Sequence, residues 1–467
     1  MRVKWLVAWL TAVTVSAVGF LAWRVGLLGF PPEELFSRVT QLLGVPRVFQ
    51  VIHAIFGVGQ GGKMFAFAGV AGLWLVGVTV LARLRPWVGA SLFAAALLAL
   101  TAPVTAAAYA ALFLMVRLAL PALLVPVSAP DRERRALLGA LGGGSALLVG
   151  SGLFGLFRGV SGMGVTPELV PGGPLPVGVT PVKDFYYVSK NLEPFDPKIQ
   201  ETEWRLQIDG LVREERSFTL AELRDRPART LELTLACISN PVGGPLLGNG
   251  IWQGFSVREL LQEVGVRPGA RFVVWHAADG YTESLPLGEA FEEDVLLVYA
   301  LNGQPLSRKH GFPLRVLIPG RYGMKQPRWI DRITVTDHDE PGYWVRRGWS
   351  KTARIHLSSR IDHPREVNPI LRAGEATVVR GVAFGGLLPI TRVEVSRDGG
   401  SSWEDARLER PRSRHAWTRW SLPWTPEAGS YQLVVRASSG DRMQDASERD
   451  ALPEGSTGYH RFIVNVS

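Results

Sequence analysis

Apolar residues are spread very unevenly along the chain, and that asymmetry divides it before any motif is read. Residues 1–157 contain long apolar runs broken by few charges, whereas residues 180–467 alternate apolar and polar positions as water-exposed proteins do. A bilayer crossing needs roughly 20 predominantly apolar residues in a row. Segments 5–23, 65–82 and 136–157 meet or nearly meet that length. The run 87–127 is about twice as long, and Thr101-Ala-Pro-Val offers a turn inside it, so it reads as two spans. The expectation is a bundle of five transmembrane helices.

The basic residues test the count. Arg2 and Lys4 precede the first span, Arg83 and Arg85 follow the second, and Arg132, Arg134 and Arg135 precede the fifth. Five spans put all three clusters on one side, as the positive-inside rule requires. Arg24, Arg38, Arg47 and Lys63 fall opposite, spread over a longer loop. This arrangement places the amino terminus in the cytoplasm and everything after residue 158 on the outer face. Glu133-Arg-Arg before a glycine-rich apolar segment reads either as an internal twin-arginine-like export signal or as an ordinary helix anchor. His53 is the single histidine in residues 1–160, which argues against a bis-histidine haem.

Beyond a Gly/Pro-rich linker at 159–183, strand and helix patterns alternate. LELTLA (231–236) reads as a strand, TLAELRDRP as a short helix capped by Thr219, and SVRELLQEVGV as a helix capped by Ser256 and closed by Gly265. RFVVWHAADGY and PLRVLIPG are strand-like, giving an α+β core over 184–365. From about 366 the chain becomes short alternating strands, with Asp398-Gly-Gly as a hairpin signal. Over 366–467 these predict an immunoglobulin-like β-sandwich. The fold class is thus multi-domain: helical transmembrane bundle, α+β domain and C-terminal sandwich.

Composition adds little to this division. The formal net charge of +9 comes with interspersed acidic residues and no aromatic-basic stripe, so nucleic acid is not an expected partner. One cysteine, Cys237, occurs in 467 residues, and an intramolecular disulfide is therefore excluded. A lone thiol is most often a small buried hydrophobe. Cys237, however, sits just past a strand end, before Pro241, paired glycines and an Asn-Gly turn, where fixed ligands and nucleophiles are common.

Several segments, taken in order, resemble the sulfite oxidase family of molybdopterin enzymes, especially its membrane-anchored bacterial members. They are FYYVSKN (185–191), TLACISN, IWQGFSVRELL, ADGYTESLPL, ALNGQPLSRKHGFPLR and PGRYGMKQPRWI. VEVSRDGGSSW and AWTRWSLPW resemble the family's carboxy-terminal dimerisation domain. The resemblance covers roughly residues 180–467. It implies molybdenum and molybdopterin as cofactors, with Cys237 as the thiolate ligand to the metal and Tyr281 as the active-site tyrosine. It further implies that Ser189, Lys190, Asn191, Asp279, His310, Arg315, Lys325, Gln326 and Arg328 contact the cofactor. A soft thiolate suits a soft redox metal, and a phosphate calls for buried positive donors.

The implied activity is two-electron oxygen-atom transfer on sulfite or a related small substrate. No haem is expected in this chain, so a separate electron carrier, a cytochrome or the quinone pool, is an expected partner, together with the lipid bilayer and a second copy in a homodimer. The sequence departs from sulfite-oxidising members after the cysteine, where Ile238-Ser-Asn-Pro replaces arginines, and at Ser189-Lys-Asn. Lys190 and Arg321 are the cations left to compensate. A sulfoxide-type reductase and a non-catalytic surface scaffold are the competing readings.

Overall fold

The computed structural model describes residues 2–24, 27–32, 34–35, 60–99, 101, 103–124, 175–191, 193–366 and 371–467. It divides into two units, Met1–Thr166 and Pro167–Ser467. The expected fifth span, with Arg132, Arg134 and Arg135, lies outside the described residues, as do Arg38, Arg47, His53 and most of the 159–183 linker.

In the first unit, α1 (Arg2–Arg24), α2 (Gln60–Ala82) and α4 (Pro103–Leu124) are long and apolar enough to cross a membrane. The 87–127 run does break near Thr101. Its first half, however, is α3 (Pro86–Leu98), a 13-residue helix shorter than a crossing requires. Proline sets both starts, Pro86 and Pro103, because its missing N–H is an orphan donor at a helix N-terminus anyway. The helices are apolar on both faces: α2 buries Trp74 and Val78 while exposing Leu73, Val76 and Val80. Several of their polar groups are satisfied internally. Thr11 and Thr79 donate back to carbonyls one turn earlier, Trp74 Nε1 donates to Ser16 Oγ, and Arg117 Nε donates to Ala82 O at 2.7 Å. Arg83 stacks on Trp5, bringing the end of α2 beside the start of α1.

The second unit holds four sheets. The first has the order β2-β1-β10-β5-β6, from Arg216–Phe218, Leu206–Gly210, Ile330–Thr336, Phe272–Ala277 and Thr282–Pro286. Only β1 and β10 run parallel. The second has the order β3-β4-β7-β8, from Arg229–Ala236, Leu247–Ser256, Leu296–Leu301 and Gln304–Pro305, with β9 (Arg315–Leu317) also on β7. Helices α5 (Leu220–Arg224) and α6 (Val257–Val264) pack on a core that includes Leu206, Ile208, Phe255, Leu260, Trp275, Val316 and Ile333.

Both helices stop and start where the sequence indicates. Thr219 and Glu222 form a reciprocal capping box, and Gly265 closes α6 at φ +66°. Ser256 caps α6, whereas the Glu259 carboxylate turns to Arg229 at 2.6 Å.

The C-terminal region is β-rich. One sheet has the order β11-β12-β16-β15, from Ser358–His363, Thr377–Phe384, Thr418–Trp424 and Arg407–Glu409. The other has the order β14-β13-β17-β18, from Glu404–Asp405, Arg392–Ser396, Gly429–Ser439 and Arg442–Met443, with β19 (His460–Val466) on β17. The two sheets share one core built from alternate residues such as Val379, Trp420, Val393, Val435 and Val464.

Candidate active site

Strand β3 ends at Ala236, and Cys237 is the first residue of the loop that follows. The loop is tightly held. Asn240 N donates to Cys237 O at 3.1 Å, closing a turn, and Cys237 N donates to Leu246 O at 3.0 Å. Asn240 Oδ1 accepts from Leu246 N at 2.8 Å. From the C-terminal region, Arg360 Nη1 donates to Gly244 O at 2.9 Å and Ser456 Oγ donates to Asn240 O. Cys237 is 9 % exposed, and its thiol lies 3.0 Å from Ser239 Oγ. Cys237 lines a small, partly open cleft whose walls also include Leu247, Tyr322, Ile355 and Phe384.

Tyr186, which the motif reading passed over, connects the thiol to the basic residues. Burial pushes its phenol well above the ordinary range; Cys237 raises it further, while Arg315 and Arg328 pull it down. The ring therefore feels the sulfur and both guanidiniums. A Cβ on Gly323 would sit 2.9 Å from its hydroxyl, so glycine there makes room for it.

Arg315 is buried at the start of β9, its cation over the Trp252 ring at 5.2 Å. Its donors reach only carbonyls, His310 O at 3.3 Å and Gln326 O at 3.2 Å, and its Nε has no partner. Among the described residues no carboxylate pairs with it within 4 Å. Burial and then Arg328 lower its pKa to about 9. Arg328 donates to Val188 O at 3.0 Å and to Lys309 O at 2.6 Å, and lies over Trp329 at 4.2 Å. Trp329 holds φ +56°, a left-handed conformation that costs a bulky residue about 1–3 kcal/mol; its Nε1 donates to Arg308 O. Arg308 Nη1 is also buried without a partner. His310 is held neutral, its pKa lowered to about 4 by burial and then by Arg315 and Arg328. Positive charge thus gathers around the buried Arg315, which among the described residues has no carboxylate within 4 Å, while Asp196 faces Arg328; a buried cation without a counter-ion is the environment a phosphate requires.

The side chain of Lys325 is turned to a carboxylate. Its Nζ lies 2.6 Å from Glu283 Oε1 and 3.2 Å from Ser284 O. Gln326 is likewise engaged by its side chain, accepting from Ile318 N and donating to Arg321 O. What Gln326 offers the cluster is its backbone carbonyl, through Arg315.

Ser189, Lys190 and Asn191 do come together with Asp279. Asn191 Nδ2 donates to Asp279 Oδ2 at 3.1 Å, Lys190 Nζ donates to Asn191 Oδ1 at 2.8 Å, and Lys190 pairs with Asp279 at 3.6 Å. Asp279 Oδ1 accepts from Tyr281 N. Beneath them Asp196, missed in the sequence, is 3 % exposed and accepts from Tyr187, Ser189 and Asn191. Burial raises its pKa despite those donors. Tyr281 is buried, its hydroxyl donating to Met324 O at 2.6 Å and its ring 5.7 Å from Tyr343. The two cations expected to compensate in an oxyanion pocket are each paired with a carboxylate, Lys190 with Asp279 and Arg321 with Glu289.

Two domain families match the chain: the oxidoreductase molybdopterin binding domain over residues 194–344 and the Mo-co oxidoreductase dimerisation domain over 350–448. The class is therefore that of molybdopterin-dependent oxidoreductases. Sulfite oxidase of Gallus gallus is 32% identical over 319 residues, spanning 57% of this chain and 69% of that one. Oxidoreductase YuiH of Bacillus subtilis is 35% identical over 148 residues, 32% of this chain and 73% of that one. Among solved structures, the sulfane dehydrogenase SoxCD of Paracoccus pantotrophus matches with a TM-score of 0.52 at 25% identity, covering 58% of this chain and 80% of that one. The chain belongs to the sulfite oxidase family of molybdenum enzymes, and it uses the molybdenum cofactor.

Proposed function

We propose that the protein is a membrane-anchored oxidoreductase that transfers an oxygen atom to or from a small sulfur compound, with molybdenum bound through Cys237. The observation that carries this reading is the buried Arg315, which among the described residues has no carboxylate within 4 Å and whose Nε has no partner. A buried cation left unpaired is costly, and an anionic cofactor phosphate relieves that cost.

When bound, the cofactor supplies a two-electron metal centre capable of oxygen-atom exchange. Cys237 contributes the thiolate, and the clamped loop keeps it aimed. Arg315, Arg328 and Arg308 hold the phosphate, while neutral His310 adds a hydrogen bond. Asn191 and Asp279 fix the 189–191 segment, with Ser189 and Asp196 beneath. Tyr281 presents a phenol whose donor direction is set by Met324 O. Gln326 shapes the turn, and Lys325 with Glu283 braces it from behind.

The further parts of the proposal concern organisation. Residues 1–158 act as the anchor and 159–183 as the linker. Residues 184–365 form the oxidoreductase domain, with β11 completing the sheet of the next region, and 366–467 form an immunoglobulin-like domain that supports a homodimer. The catalytic unit lies on the outer face, and a separate electron carrier exchanges single electrons with it.

The leading substrate is sulfite or a related small sulfur compound. A second reading, sulfoxide reduction, is favoured by one observation: Lys190 and Arg321 are both paired with carboxylates, which lowers the positive charge available to an oxyanion. Assays of the purified, metal-loaded chain with sulfite and with sulfoxides separate the readings. Turnover of either supports the proposal; a folded protein that is active without molybdenum overturns it.

A further inference from the structure

We propose that Ser239 tunes the metal bound at Cys237, its hydroxyl donating a hydrogen bond to the ligating thiolate and raising the reduction potential of the site. The inference rests on Cys237 being the ligand. Ser239 Oγ lies 3.0 Å from Cys237 Sγ. A metal-bound thiolate carries no proton, so the hydroxyl is the donor in that pair.

The contact is built into the backbone. Cys237 to Asn240 form a four-residue turn closed by Asn240 N to Cys237 O, and Ser239 at its third position folds back over the first. The turn is fixed from both sides, by Leu246 within its own loop and by Ser456 and Arg360 from the C-terminal region. The hydroxyl therefore meets the sulfur without ordering the loop afresh. A hydrogen bond to a ligand sulfur withdraws electron density from it and weakens its donation to the metal, favouring the reduced state. Ser239 is thus a positioning residue that acts through Cys237.

The test uses the full chain carrying Ser239→Ala, Ser239→Gly and Ser239→Thr, each assayed for molybdenum content before a redox titration. The Ala and Gly forms keep the metal, shift the midpoint potential negative, and slow reduction of the centre by substrate about tenfold. The Thr form, which retains a hydroxyl, keeps the wild-type potential. Sulfur K-edge absorption shows greater metal–sulfur covalency in the Ala and Gly forms. An unchanged potential in a fully loaded Ala or Gly form overturns the proposal, as does a Thr form that shifts as far as Ala. Failure of Cys237 as a ligand has a different signature, metal–sulfur scattering that survives Cys237→Ser.

Discussion

Lys325 Nζ lies 2.6 Å from Glu283 Oε1, and both side chains are almost entirely buried. The sequence motif assigns that lysine to the cofactor, yet its charge is committed to the protein's own carboxylate. Burial raises the Glu283 pKa, and Lys325 pulls it back. The pair braces the turn that carries Met324, whose carbonyl orients Tyr281.

Breaking a buried ion pair strands a charge. Lys325→Met and Glu283→Gln singly each lower unfolding free energy by about 3–5 kcal/mol, and the double variant recovers most of the loss. Denaturant unfolding of all four forms gives the coupling energy. A small, additive pair of effects would show that the two charges act independently.

Arg315 has the opposite signature, because it is a buried cation without an anion. Arg315→Met leaves the stability of the cofactor-free protein unchanged or raises it by up to about 2 kcal/mol. The same change lowers pterin retained through purification about tenfold or more. Thermal unfolding of the cofactor-free form and fluorescence of released pterin give the two numbers, and a loss of stability would show that its bonds to the His310 and Gln326 carbonyls outweigh the cost of its buried charge.

His310 makes the cofactor-free protein sensitive to acid. Its folded pKa, about 4, lies below the ordinary value of 6.5, so the unfolded chain binds the proton first. The stability it confers is complete above pH 6.5 and is lost as pH falls toward 4, roughly 3 kcal/mol in all. Asp196, whose pKa is raised, works in the opposite sense. The measurement is therefore the difference between wild type and His310→Asn, which flattens over that window.

Much of the fold was legible in the sequence because it follows from local rules. The LELTLA strand, the Thr219 and Ser256 caps, Gly265 and the Asp398-Gly-Gly turn each behave as their chemistry dictates; Gly399 and Gly400 take φ of +76° and +106°. The length of α3 was not legible, because an apolar run shows no boundary until Leu98 ends the helix ahead of Pro103. Motif order singled out His310, Arg315 and Arg328, which the fold brings together because they are also close in sequence. Tyr186 and Glu283 were missed because each acts through a partner distant in sequence, whereas Asp196 bonds residues only 5 to 9 positions away but lies outside the motifs that were read. The partners of Lys325 and Arg321, Glu283 and Glu289, are 42 and 32 residues away, and no local pattern announces them.

Gly243 offers a test of the loop clamp. It holds φ +73°, and a Cβ there would fall 2.1 Å from His460 Cδ2. Gly243→Ala must strain the backbone and displace His460, costing at least about 2 kcal/mol. The same change lowers molybdenum content if the loop aims the thiol. Metal analysis beside thermal unfolding checks both, and full metal loading with wild-type stability would show that the clamp is dispensable.

The central claim is a bond between Cys237 Sγ and molybdenum, and molybdenum K-edge X-ray absorption of the purified full-length protein tests it most directly. Wild type and Cys237→Ser are compared at equal metal content. The account predicts that the serine form loses one sulfur scatterer and gains a lighter one in its place. Identical metal–sulfur scattering in the two forms would contradict it.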